Sequence, residues 1–426
     1  MRRKYTGFVK TLAISFLIFF IFFSFFMVQA GAVAAAEAAD TAEVAEAPYV
    51  RVVINGIPGN YTDTALEIND RVLLPFRELL TKLGVTNDDE HIIWNDDEES
   101  VTVIDKSNII RLQIGNPVMV VNGVEKTFDV APYFYHKNDR TYIPVRAVSE
   151  LLDKKILWEE DTTTVYIRDN ENYAATLELL ENIQNKEEAT KIHATTDSLV
   201  NFRVTTNGDP LPDADADGVL RSSMKIEQDI YADLDNHITH MSQKSEIEGS
   251  KIGFDFFIIE DRSFIKIDGV GFDWYDASDQ GIDFDYTLEQ ITPLAEQMDA
   301  RALSDVAMGL AATKGSDGTY TIVGEPLAGA DINVVLDAVT GLVQQDAITI
   351  SEIKFNKFQI GTTIDENYYP IKAVVSVVMD FSLTEKTAGN NEVVVYFSAD
   401  MYMTVYYDIL GPDYAIATPE GVKALL

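Results

Sequence analysis

The sequence predicts an α+β protein: a duplicated small α+β module, followed by a curved antiparallel β-sheet, a half-barrel, with packed helices. Three observations predict it. The stretch NDRVLLPFRELL from Asn69 returns as NDRTYIPVRAVSELL from Asn138. Each copy joins a short apolar strand to a Pro-started helix. Late in the chain, long alternating runs such as IKAVVSVVMDFSLT and NEVVVYFSADMYMTVYYDI read as strands with one buried face.

The export region comes first in the chain. MRRKYTGFVK carries four positive charges, TLAISFLIFFIFFSFFMV is continuously apolar, and QAGAVAAAEAAD supplies small residues. Residues 1–30 are therefore expected to be a signal peptide, cleaved after Ala30 or Ala34, or an uncleaved anchor, since the run approaches bilayer length. Residues 31–48 read as a flexible leader. The expected location is extracytoplasmic, secreted or associated with the cell wall.

The 426 residues are 46% apolar and carry a net charge of −36. Length and apolar content suit two or three globular domains. So acidic a surface repels nucleic acid and anionic lipid headgroups, so no nucleic-acid partner is expected. Membrane contact is expected only through an uncleaved signal. The absence of cysteine removes disulfides, thiolate metal sites and cysteine nucleophiles.

From Tyr49, YVRVVING reads as a strand entering an Asn-Gly turn. Aligning Asn69 with Asn138 matches Asp70 to Asp139, Arg71 to Arg140, Pro75 to Pro144 and Arg77 to Arg146. ING at Ile54 is echoed by VNG at Val121, Trp94 by Trp158, and VTVI at Val101 by TVYI at Thr164. The copies span about 49–105 and 116–168, the first about five residues longer within GVTNDDEH. Helical spacing puts Phe76, Leu79, Leu80 and Leu83 on one stripe, and Val145, Val148, Leu151 and Leu152 on the other. Neither copy can close a core alone; two packed together can.

These paired Asn-Gly turns, Asn-Asp-Arg, Pro-x-Arg, and Trp before a Thr-Val strand resemble the copper amine oxidase N-terminal-like domain of exported Gram-positive proteins, over residues 49–168. The resemblance implies an accessory packing or interaction module, since in the oxidases copper and the modified tyrosine belong to a different domain. Residues 169–190 read as a connecting helix. Residues 191–426 then read as strands around two helices, 286–312 and 329–345. That order resembles the lipoprotein carrier fold of the LolA and LppX type, through the FDWYDA turn, IDENYYPIKAVVSVVMDF and the final ATPEGVKAL. Those relatives carry a lipobox cysteine, which this chain lacks.

Candidate sites are few. Asp213, Asp215, Asp217 and Gly218 fit the start of a calcium loop, but Met224 stands where the bidentate Glu is needed. The segment reads either as an acidic surface loop or as an incomplete calcium site, and no other cofactor is expected. His237 and His240 are the only close histidines, and in a strand they would point to opposite faces. Arg77 and Arg146 suit an anion, or the repeat's own packing on Trp94 and Trp158 or pairing with Asp70 and Asp139. Phe254, Phe256, Val375, Val377, Met379, Phe381, Phe397, Met401 and Met403 alternate along their strands. They form either an ordinary core face or the lining of an acyl-chain cavity. No nucleophile elbow, phosphate loop or His-Glu-x-x-His helix is present.

The expected function is thus a non-enzymatic, secreted cell-envelope protein. It pairs an interaction or scaffold module with a domain that binds an apolar ligand, its partner being an envelope component, a protein or a lipid. The alternatives are a lipid or lipoprotein-like carrier using a cavity in residues 191–426, and an extracellular enzyme with an unrecognised site.

Overall fold

A computed structural model describes residues 44–106, 108–160, 162–186, 189–207, 214–269, 273–278, 300–325, 348–350, 354–386 and 392–426. The expected signal peptide, residues 31–43 of the expected leader and the helix expected over 329–345 lie outside these residues, as does most of that over 286–312. The chain forms two compact units. One runs up to Leu177 and includes Asp305–Ala311; the other holds Glu178–Ser304 and Ala312–Leu426.

The first unit opens with β1 (Ala45–Glu46), β2 (Arg51–Ile54), β3 (Ile57–Pro58), β4 (Leu66–Glu67) and β5 (Val72–Pro75). Helix α1 (Phe76–Lys82) follows, then β6 (Ile92–Asn95), β7 (Ser100–Asp105) and β8 (Asn108–Gln113). The second copy supplies β9 (Asn116–Val121), β10 (Val124–Thr127), β11 (Tyr133–Tyr135), β12 (Arg140–Pro144), α2 (Val145–Leu151), β13 (Lys154–Glu159) and β14 (Thr164–Asp169). Both Asn-Gly turns hold positive φ, 50° and 76° at Asn55–Gly56 and 51° and 83° at Asn122–Gly123, which is why the dipeptide recurs.

The copies meet strand to strand. β12 pairs antiparallel with β5, Ile143 opposite Leu74, in a sheet ordered β1-β4-β5-β12-β11. Two further sheets flank it, β13-β14-β2-β3 and β10-β9-β8-β7-β6. They follow one plan with one difference. β14 lies parallel to β2, whereas β8, from the linker between copies, sits antiparallel between β7 and β9. A single apolar cluster draws on both copies: Leu79, Leu80, Leu83, Val101 and Val103 from one, Val145, Val148, Leu151, Val165 and Ile167 from the other. Trp94 and Trp158 pack against it, partly buried. The strand ladders also correct the sequence alignment by one residue. Trp94 stands opposite Val101 and Trp158 opposite Val165, so Val101 corresponds to Val165 rather than to Thr164.

Helix α3 (Asn170–Gln184) leads onward to β15 (Lys191–Thr206), β16 (Leu220–Asp233), β17 (Ile238–Ile247), β18 (Ser250–Ile259), β19 (Arg262–Ile267) and β20 (Tyr275–Asp276). After α4 (Ala300–Gly309) come β21 (Leu310–Lys314), β22 (Tyr320–Gly324), β23 (Ile348–Ile350), β24 (Lys354–Ile364), β25 (Pro370–Lys386), β26 (Glu392–Ile409) and α5 (Glu420–Lys423). These strands build one antiparallel sheet ordered β20-β19-β18-β17-β16-β15-β26-β25-β24-β22-β21, with β23 on β25.

The α+β expectation is overturned: strands dominate, and the second unit is a large antiparallel sheet curved into a half-barrel. The reason lies in lengths. β15, β25 and β26 run 16, 17 and 18 residues, whereas α1 and α2 span 7 each. Pro75 and Pro144 start those helices directly from strands, and each ends after two turns.

Candidate functional site

The inner face of the half-barrel is set by strand alternation. On β25 and β26, Val375 stands opposite Met403, Val377 opposite Met401, Met379 opposite Ala399 and Phe381 opposite Phe397. Val375, Val377, Met401 and Met403 are fully buried, and Met379, Phe381 and Phe397 are at most 8% exposed. The Phe381 and Phe397 rings stack at 4.9 Å between centroids. β15 continues the patch, with Val200 opposite Met401 and Phe202 opposite Ala399. Phe256 is buried and Phe254 half-buried, farther along the sheet on β18. Unbranched, polarisable Met side chains adapt to an irregular apolar partner more readily than branched ones.

A polar row borders this patch and was missed in the sequence. Thr196, Gln228 and Gln243 stand directly opposite one another across β15, β16 and β17, with Phe254 next in line. The Thr196 hydroxyl donates to Gln228 Oε1 at 2.8 Å, Gln228 Nε2 to Gln243 Oε1 at 2.9 Å, and Gln243 Nε2 to Ser245 Oγ at 2.9 Å. All four residues are buried. A buried amide persists where its hydrogen bonds are made, and this ladder makes them in series. The signal was available: Thr196 and Ser198 keep the inward phase of Ala194 and Val200.

The opposite face of the sheet is covered at one end by the chain's last residues. Phe257, Phe264 and Val422 are fully buried together, with Trp274 and Ile416 packed on them. The two stretches FDWYDA and ATPEGVKAL thus meet. The approach is so close that a Cβ at Gly421 would lie 2.4 Å from Trp274 Cδ1. Arg262 donates to Leu425 O at 2.9 Å and to Asp276 at 2.6 Å. The Ser278 hydrogen bond and then Arg262 hold the Asp276 carboxyl at about 2.

Asp213 lies outside the described residues. Asp215 uses Oδ1 to accept the Asp217 and Val219 amides at 2.9 and 3.0 Å, and pairs with Arg221. Its carboxylate therefore closes its own turn. Asp217 is exposed, and among the described residues no group of three His, Asp or Glu is placed to hold a metal. His237 occupies the turn before β17, at φ 52°, not a strand; burial holds the His240 imidazole below its ordinary value, beside Phe257.

In the first unit, the equivalent arginines part company. Arg146 is exposed. Arg77 donates to Asn87 Oδ1 at 3.1 Å and stands 3.7 Å from Asp89, both within the first copy's extra residues. Stacking on tryptophan and pairing with Asp70 are not what Arg77 does; its guanidinium lies 5.8 Å from the Phe76 ring centre. The tryptophans keep a common habit. Trp94 Nε1 donates to Asp96 at 2.5 Å and Trp158 Nε1 to Glu160 at 2.6 Å, each to an acid two residues on. Around Arg77 opens a cavity of about 750 Å³, lined by Phe76, Arg77, Glu78, Lys82, Asn87 and Trp94 from the first copy and Phe134, Asp139 and Arg140 from the second, with Asp63.

Residues 53–167 match the copper amine oxidase N-terminal domain. This domain of amine-oxidase type accordingly covers β2 through β14 apart from their outermost residues. No curated protein matches the chain. Among solved structures, a β-barrel-like domain of unknown function from Brucella abortus shares 10% identity over 53% of this chain and 99% of its own, at a TM-score of 0.18. A protein from a second family of unknown function, in Desulfovibrio piger, shares 9% over 58% of this chain and 95% of its own, at a TM-score of 0.17. The outer membrane protein OprG of Pseudomonas aeruginosa shares 8% over 53% and 99%, at a TM-score of 0.14. Superposition this poor carries no weight for fold or function.

Proposed function

We propose that this chain is a non-enzymatic binding protein of the cell envelope whose half-barrel holds an apolar, acyl-like ligand on its inner face. One observation carries the reading: Val375, Val377, Met379, Phe381, Phe397, Met401 and Met403 form a continuous buried apolar patch bordered by the neutral amide ladder of Gln228 and Gln243. These residues are at most 8% exposed, so a ligand reaches them only by displacing what already covers them, and each methylene it then removes from water gains about 0.8 kcal/mol. An ester, amide or hydroxyl at the ligand's end would meet the ladder. The match of residues 53–167 to an N-terminal, non-catalytic domain supports the non-enzymatic part. The charged, apolar and small-residue sequence of the N-terminal segment supports export.

Denaturing extraction of the purified protein followed by mass spectrometry tests this directly. The expected result is a co-extracted lipid in near-stoichiometric amount, and a melting temperature that falls on delipidation and is restored by adding a fatty acid or lysophospholipid. Met401→Asp is expected to abolish the restoration. An empty extract together with a melting temperature indifferent to both lipids would sink the reading.

A further inference from the structure

The cavity around Arg77 carries a second inference, independent of the half-barrel. Ion pairs in the first unit fall into two groups. Arg71–Asp129, Lys154–Asp169 and Lys137–Glu46 close to 2.6, 2.5 and 3.3 Å, Arg111 closes on Glu98, and His91 on Asp88 at 2.7 Å. Arg140–Asp63, Arg77–Asp89 and Lys82–Glu78 stand open at 3.6, 3.7 and 3.8 Å, beyond direct hydrogen bonding. The cation of each open pair lines the cavity. So does the half-buried Trp94, tilted against Phe76 at 6.4 Å between centroids.

From this arrangement we infer that the cavity binds a neutral, polyhydroxylated ligand, a short glycan segment. A hydroxyl both donates and accepts. Placed between Arg140 and Asp63, or between Lys82 and Glu78, whose carboxylates also line the cavity, it donates to the carboxylate and accepts from the guanidinium or ammonium at once, making two charge-assisted bonds. An anion satisfies only the cation, and it meets Asp63, Glu78, Asp96 and Asp139 around three positive groups. A cation meets the reverse conflict at Arg77, Lys82 and Arg140. The apolar C–H face of a sugar ring suits the faces of Trp94 and Phe76, as apolar surface suits any aromatic platform. The cavity's 750 Å³ lies in the usual range for small-ligand sites. The first copy's extra residues hold the site: Asn87 anchors Arg77, and Asp88 binds the Glu90 and His91 amides at 3.0 and 2.8 Å.

The experiment is calorimetric titration of the full exported chain with cellotetraose, with chitotetraose and with inorganic phosphate, alongside tryptophan emission. One of the two tetrasaccharides is expected to bind and shift the emission, and phosphate is not. Trp94→Ala and Arg140→Ala should each weaken binding about tenfold or more, and Trp158→Phe should leave it intact. Arg140 is 61% exposed, so Arg140→Ala tests the site without disturbing the core. Failure of both sugars to bind, binding unchanged by Arg140→Ala, or phosphate binding in their place would overturn the inference. Lipid extraction from the half-barrel bears on none of these outcomes.

Discussion

The two copies in the first unit share their turns, prolines, arginines and tryptophans, yet they serve different ends. The second keeps the compact plan. Its β14 returns directly beside β2, and its helix passes at once into β13. The first has β8 wedged between β7 and β9, and a longer loop after its helix. That loop holds Arg77 at the cavity, while Arg146, at the same helical position, faces solvent. A duplicated module thus keeps its shared residues for the common core, and diverges where only one copy has a neighbour to serve.

Substitutions can break this comparison in order of size. Leu80 and Leu151 occupy the shared core from opposite copies, fully buried and 5% exposed. Leu80→Ala and Leu151→Ala should each cost about 3–4 kcal/mol in urea unfolding; a large effect in one copy alone would show that the copies do not share a core. Arg168 sharpens the contrast. It corresponds to Ile104 and is fully buried, donating to Ala307 O at 2.8 Å and to Thr176 Oγ1 at 3.0 Å. Burial lowers its guanidinium to about 10. Arg168→Met strands those acceptors and should cost about 2–3 kcal/mol, whereas Ile104→Ala should cost under about 1. Asp88→Ala should weaken the expected tetrasaccharide binding, by releasing the loop that only the first copy has. The smallest effect is a titration. The His91 hydrogen bond, foremost, holds the Asp88 carboxyl below 3.8. The stability it contributes is present above 3.8 and disappears as pH falls through its lowered value. Carboxyl NMR should show that His91→Ala moves Asp88 back toward 3.8.

Local chemistry made much of this legible. Asn-Gly turns, helix stripes and the long strands were readable because each is written within a few residues. The balance of strand to helix was not, because helical spacing marks a stripe but not how briefly Pro75 and Pro144 let it run. Nor was β8, since a linker strand bears no mark of the partners it will separate. The apolar face of β25 and β26 was visible by alternation, while the amide ladder became visible only when register set Thr196, Gln228 and Gln243 side by side. The cavity escaped altogether. It gathers Asp63, Arg77, Trp94 and Arg140 from four separated segments, and spacing along a chain says nothing of such a meeting.

The strap formed by the last residues has a practical edge. A protease cutting before Pro419 would shorten the chain by only a helical turn and its tail. It would also strip Val422 from Phe257 and Phe264, leaving only Trp274 and Ile416 over an oily window of the kind through which molecules clump.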